Sequence, residues 1–162
     1  MMLVNLLFTF ILANILISIS KEDIKTMLIS ENKLRVFALA GISYLAMICL
    51  SNNQNIIYLI KNNLISMLII FLVMFSISFI SYKLFRINSL GLGDIKMSTI
   101  STIWLGIEFS FISLGISFLL SSLFSIHGKI TKRFKTFHQY PFAPFLSIGI
   151  FCSWILDKIQ MF

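Results

Sequence analysis

A chain of 162 residues that is 58% hydrophobic and 12% charged, with a mean hydropathy of +0.96, carries too little polar material to coat a soluble domain of its size. Its formal charge of +7 does not point to nucleic acid, because the lysines and arginines lie in short loops between apolar segments and form no single basic surface with polar and aromatic contacts beside it. Cys49 and Cys152 both fall inside apolar runs, with no CxxC and no histidine at ligand spacing, so neither a zinc site nor a disulfide framework is supported.

Only two prolines and seven glycines interrupt the apolar runs, which read as transmembrane helices satisfying their own backbone hydrogen bonds. The runs do not alternate, which argues against a barrel. The expected fold is an all-α polytopic membrane protein, one domain over residues 1–162, with about six transmembrane helices at roughly 2–19, 36–50, 63–80, 95–107, 109–126 and 141–157. Nothing positive precedes the first run, no clear small-residue cleavage site follows it, and it is too long for a signal-peptide core. It therefore reads as a retained helix. The polar stretch SNNQN (51–55) connects spans two and three, IIYLI (56–60) is placed in the membrane interface, and Glu108 marks a tight turn between spans four and five.

Orientation follows from the cations. With the N-terminus outside, eleven of the thirteen lysines and arginines fall on the cytoplasmic side (Lys21, Lys25, Lys33, Arg35, Lys83, Arg86, Lys96, Lys129, Lys132, Arg133 and Lys135), leaving Lys61 and Lys158 outside. That asymmetry is the positive-inside signature. The loop at 127–140 carries four of these cations and suits anchoring to anionic headgroups. His127 and His138 have no ligand-like neighbours and read as interface residues, and the seventeen phenylalanines as lipid-facing and packing residues.

Two acids stand in similar settings at the inner ends of spans. The tripeptide DIK occurs at 23–25 and again at 94–96, the second time inside GLGDIKM (91–97). A bland reading makes Asp23 part of a solvated loop balanced by Lys21 and Lys25, and makes Asp94 a cap for the helix that follows it. A sharper one brings the two together. Carboxylates meeting in a partly dry site share a proton, so that one acts as general base on a water and the other as general acid, with no metal, serine or cysteine. Gly91 and Gly93, lacking Cβ atoms, let the backbone turn sharply and approach another chain closely, as a substrate strand beside a catalytic acid would require. Span four is short: about 13 residues at ~1.5 Å each reach ~20 Å, against a hydrocarbon core of ~30 Å, which places Asp94 in a recess or under thinned lipid.

With DIKTMLIS upstream, GLGDIKM in the middle and PFAPFLSIG at 141–149, the chain resembles the prepilin peptidases, the type IV leader peptidase family of GxGD membrane aspartic proteases. The resemblance runs from about residue 15 to 157. It implies that Asp23 and Asp94 are the catalytic pair and that Gly91, Gly93, Lys25, Lys96, Pro141 and Pro144 support the motifs. Each lysine stands two residues after an acid, where it either tunes the local field or anchors the helix at the interface. Both prolines are expected in the first turn of span six, where a missing N–H costs little. The implied activity is endopeptidase removal of the basic leader of type IV prepilin-like precursors at the cytoplasmic face of the inner (cytoplasmic) membrane. The implied partners are the precursor and membrane lipid, with no nucleic acid, no cofactor and no metal. Two departures stand out: the family's first motif continues to an Ile-Pro pair where this chain reads Ile29-Ser30, and the paired CxxC insertion of larger members, associated with N-methylation, is missing. The resemblance is therefore to a short, peptidase-only form.

Two rival readings remain. A presenilin or signal-peptide-peptidase type would carry a Tyr-Asp pair within a span and a Pro-Ala-Leu motif, whereas here Asp23 follows Glu22 and the terminal motif is PFAPF. A non-enzymatic assembly factor, or a channel or transporter subunit, would explain the hydropathy but not the conjunction of motifs. It should also place polar groups in mid-span, and Ser76, Ser78, Ser113 and Ser117 can bond to their own helix backbone instead.

Overall fold

A computed structural model describes residues 2–52, 56–86, 90–131 and 140–160. Among them are five α-helices and no strand: α1 (Met2–Thr26), α2 (Glu31–Asn52), α3 (Ile56–Phe85), α4 (Leu92–Ile130) and α5 (Ala143–Gln160). Four of these, α1 to α4, are long and apolar enough to cross a membrane, and the chain is read as a multi-pass membrane protein.

The expected count of about six helices is corrected to five. Expected spans four and five are one helix, α4, interrupted at Gly106, whose φ of 69° and ψ of −176° are open to glycine and strained for other residues. A straight helix of 39 residues would be ~58 Å long, about twice the hydrocarbon core. Instead α4 turns back on itself, as its neighbours show. Gly93 lies against Ile29 and Trp104 against Gly41, so the first arm leaves the start of α2 and runs beside it. Beyond the break, Ser113 and Ser117 lie against Gly149, Phe118 against Phe142 and Ser121 against Tyr140, so the second arm runs antiparallel to α5. Since α2 and α5 both leave the same end of the bundle, the two arms run in opposite directions. The turn anticipated at Glu108 is made two residues earlier, by the glycine.

Helix ends also move. Hydropathy marks only the apolar part of a helix, whereas backbone hydrogen bonding continues through neighbouring polar residues, so α1 runs to Thr26 and α2 starts at Glu31. The segment Lys21–Lys25 is thus helical and not a loop. Residues 56–60, expected in the interface, form the first turn of α3. α1 closes with Met27 at φ 53°, its N–H donating to the Asp23 carbonyl at 2.8 Å, the bond of a left-handed helix cap.

Away from the acids, the bundle is held by aromatic packing. Trp104 is 3% exposed and stacks on Phe37 and Tyr44, with ring centroids 5.9 Å away in each case, while Trp154 meets its ring edge to face at 5.6 Å. Such pairs contribute ~0.5–1.5 kcal/mol each beyond area burial. Both indole N–H groups are satisfied, Trp104 by the Phe37 carbonyl at 3.1 Å and Trp154 by Thr9 Oγ1 at 2.8 Å. Lys158, expected as an outer-side loop cation, is instead buried in this cluster, 4.1 Å above the Trp154 ring and 2.6 Å from Asp157.

Candidate active site

Asp23 lies one turn before the end of α1, and Asp94 is the third residue of α4. Both are buried, at 5% and 9% exposure, and Asp94 feels the negative charge of Asp23. The solvated-loop reading of Asp23 is therefore overturned: the residue faces inward from a helix. Its neighbour Glu22, about 100° further back around that helix, takes the outward role.

A buried carboxylate needs compensation, and no cation touches either acid among the described residues. Helix N-termini supply it. Asp94 Oδ2 accepts the Gly91 N–H at 3.3 Å, while the Asp94 N–H donates to the Gly91 carbonyl at 3.1 Å, so the acid caps its own helix. Asp23 caps a helix that begins 120 residues later: its Oδ2 accepts the Ala143 N–H at 3.0 Å, in a fully buried contact at the first residue of α5. Pro144, at the next position, has no N–H to offer. The remaining oxygen of Asp94, Oδ1, is buried without a hydrogen-bond partner.

The glycines serve this geometry. A Cβ on Gly93 would come within 3.1 Å of Ile29 Cβ, so Gly93 allows a close approach to the chain's own α1–α2 turn. Gly91 is exposed and extended (φ −72°, ψ 150°), and a Cβ there would lie 3.3 Å from Asp94 Oδ2. Pro144 falls in the first turn of α5 as expected. Pro141 does not: it precedes the helix, and Phe142 supplies the first helical carbonyl, to Phe145 at 3.0 Å and Leu146 at 3.1 Å.

The lysines are not drawn to the acids. Lys25 is exposed, and Lys96 forms an ion pair with Glu31, tying the first turn of α4 to the start of α2. A second tie closes the α1–α2 turn: Glu22 Oε2 accepts the Ser30 N–H at 3.3 Å and pairs with Lys33 at 3.3 Å. Sequence reasoning missed both glutamates. Their signal is the rarity of acids in this chain, six in all, two of which stand beside the turn that Asp23 enters. It also missed the Ala143 N–H, a backbone group that no side-chain pattern marks. Lys132, Arg133, Lys135 and His138 lie outside the described residues.

Among the described residues, no group of three or more His, Cys, Asp or Glu side chains is placed to hold a metal ion. What the site does hold is two buried carboxylates, with the negative charge of Asp23 reaching Asp94.

Residues 10–126 match the model of the type IV leader peptidase family, a range that contains Asp23, Lys25, Gly91, Gly93, Asp94 and Lys96 and ends before Pro141 and Pro144. No curated protein and no solved structure matches the chain.

Proposed function

The chain belongs to the type IV leader peptidase family, and on that premise we propose that it is a membrane aspartic endopeptidase, with Asp23 and Asp94 as its catalytic pair, that removes the basic leader of type IV prepilin-like precursors. The observation that carries this reading is the burial of two like-charged acids, capped by backbone N–H groups and left without a cation. Chains do not keep such a pair for stability, because each acid raises the cost of ionising the other.

The chemistry runs through one water. The ionised carboxylate takes a proton from the water as its oxygen attacks the scissile carbonyl carbon, and the protonated carboxyl gives its proton to the carbonyl oxygen. On collapse of the gem-diol intermediate, the carboxyl that took the water's proton gives it to the amide nitrogen, the C–N bond breaks, and the other carboxylate takes a hydroxyl proton as the new carboxyl group forms. One carboxyl ends protonated and the other ionised, so the pair is reset.

The position of the acids suits a substrate whose leader is basic and whose remainder is an apolar helix, since both carboxylates lie near helix ends and not in mid-span. In this reading, the acid end faces the cytoplasm, the N-terminus lies outside, and the inner cations anchor the protein to anionic lipid. The test is cleavage of a synthetic precursor, with a basic leader joined to an apolar helix, by protein in lipid nanodiscs. Asp23→Asn and Asp94→Asn should each lower the rate by at least ~10³-fold. Normal cleavage by either variant removes that residue from the mechanism. Cysteine introduced at Lys25 should react with an impermeant reagent from the cytoplasmic side, and labelling from outside would reverse the orientation.

A further inference from the structure

Asp23 meets its N–H donor only if α5 is held at one height along α1. One helical turn away lies a contact that does this. Ser20 Oγ donates to Ser147 Oγ at 2.8 Å, and Ser147 Oγ donates onward to the Leu16 carbonyl at 3.4 Å. Ser20 precedes Asp23 by three residues and Ser147 follows Ala143 by four, so on antiparallel helices the two contacts stack on one shared face, ~4.5 Å apart along α1 and ~6 Å along α5. Resting on the reading of Asp23 as a catalytic acid, we propose that Ser20 and Ser147 are positioning residues. Their hydroxyl pair sets the register of α5 on α1, so that the first N–H of α5 arrives at the Asp23 carboxylate and holds it in its working orientation.

Of the two hydrogen bonds between side chains that join α1 to α5 among the described residues, the serine pair is the nearer to Asp23; the other, from the Trp154 indole to Thr9, lies much farther along both helices. The Asp23–Ala143 bond is the one hydrogen bond to the Asp23 side chain among the described residues. Ridges of side chains seated in the grooves of a neighbouring helix allow a small set of packing arrangements. A directional O–H···O bond helps select one of them. Neither serine is needed to satisfy the other's backbone: Ser20 Oγ also lies 2.8 Å from the Leu16 carbonyl, and Ser147 reaches the same oxygen. Removing one hydroxyl therefore strands no buried donor, and the fold survives the test.

In nanodiscs, with the synthetic precursor as probe, Ser20→Ala and Ser147→Ala should each lower kcat about tenfold while KM stays within about twofold, because a displaced carboxylate loses alignment without losing substrate contacts. The double variant should be no slower than either single one, since both break the same contact. Ser20→Thr, which keeps the hydroxyl, should restore kcat. Wild-type kcat in both alanine variants, beside an inactive Asp23→Asn, overturns the positioning role alone. So does a loss that follows a fall in melting temperature and is not rescued by threonine. Normal cleavage by Asp23→Asn overturns the reading beneath it, and this inference with it.

Discussion

At the end of the bundle away from Asp23 and Asp94, the buried Lys158 pairs with the partly exposed Asp157 at 2.6 Å, its ammonium resting on the faces of Trp154 and Tyr44. At the other end, Asp23 and Asp94 are buried with no cation, held by backbone N–H groups at two helix N-termini. The same medium receives both. Opposite charges in contact neutralise each other and bind helices together, whereas like charges in one dry space remain poised to trade a proton. The far end is built for cohesion, and the acid end keeps an electrostatic cost that, in the proposed function, serves the reaction.

That contrast is broken most severely by changing one charge at each end. Asp94→Asn should reduce leader cleavage by at least ~10³-fold while the protein stays folded, but Lys158→Met should leave cleavage per folded molecule within about twofold. A Lys158→Met variant that is folded yet inactive would show that the two ends are not separate in function.

The next largest effect is on the turn that joins the arms of α4. Gly106→Ala puts a Cβ on a residue at φ 69°, which should destabilise the protein by about 1–3 kcal/mol, read as a lower melting temperature in detergent. A Cβ there meets no atom within 4 Å, so the loss would come from backbone strain and not from a clash. An unchanged melting temperature would mean that this backbone geometry is not needed.

Lys158→Met should also cost stability, roughly 2 kcal/mol, because it leaves the Asp157 carboxylate without its partner. Restoring neutrality with Asp157→Asn in the same chain should recover part of that loss. The smallest effect belongs to the exposed Lys96–Glu31 pair. Glu31→Gln should leave the melting temperature nearly unchanged, as solvent and salt screen such pairs. A large loss there would mean that the tie between α2 and α4 is needed to hold the acid end together.

Hydropathy made the all-helical membrane architecture readable, since a bilayer leaves few ways to satisfy a backbone. The helix count was less legible. A glycine between two apolar runs can lie within a helix or reverse it, and it is the packing of the two arms along α2 and α5 that shows reversal. The two DIK tripeptides drew attention to Asp23 and Asp94, but their inward direction depends on where α1 ends, and the polar segment Lys21–Lys25 reads equally as helix or loop. The role of PFAPF was hidden for a different reason. Its prolines are conspicuous, yet the group that reaches Asp23 is the N–H of the alanine between them.

The most direct measurement of the central claim needs no substrate. A double-mutant cycle on thermal or denaturant stability, using Asp23→Asn, Asp94→Asn and the combined variant in the same detergent, asks whether the two acids interact. The account predicts single effects that fail to add, by about 1 kcal/mol or more, because the charge of Asp23 reaches Asp94. Additivity within ~0.3–0.5 kcal/mol would mean that the acids are independent, and a shared-proton site could not then be maintained.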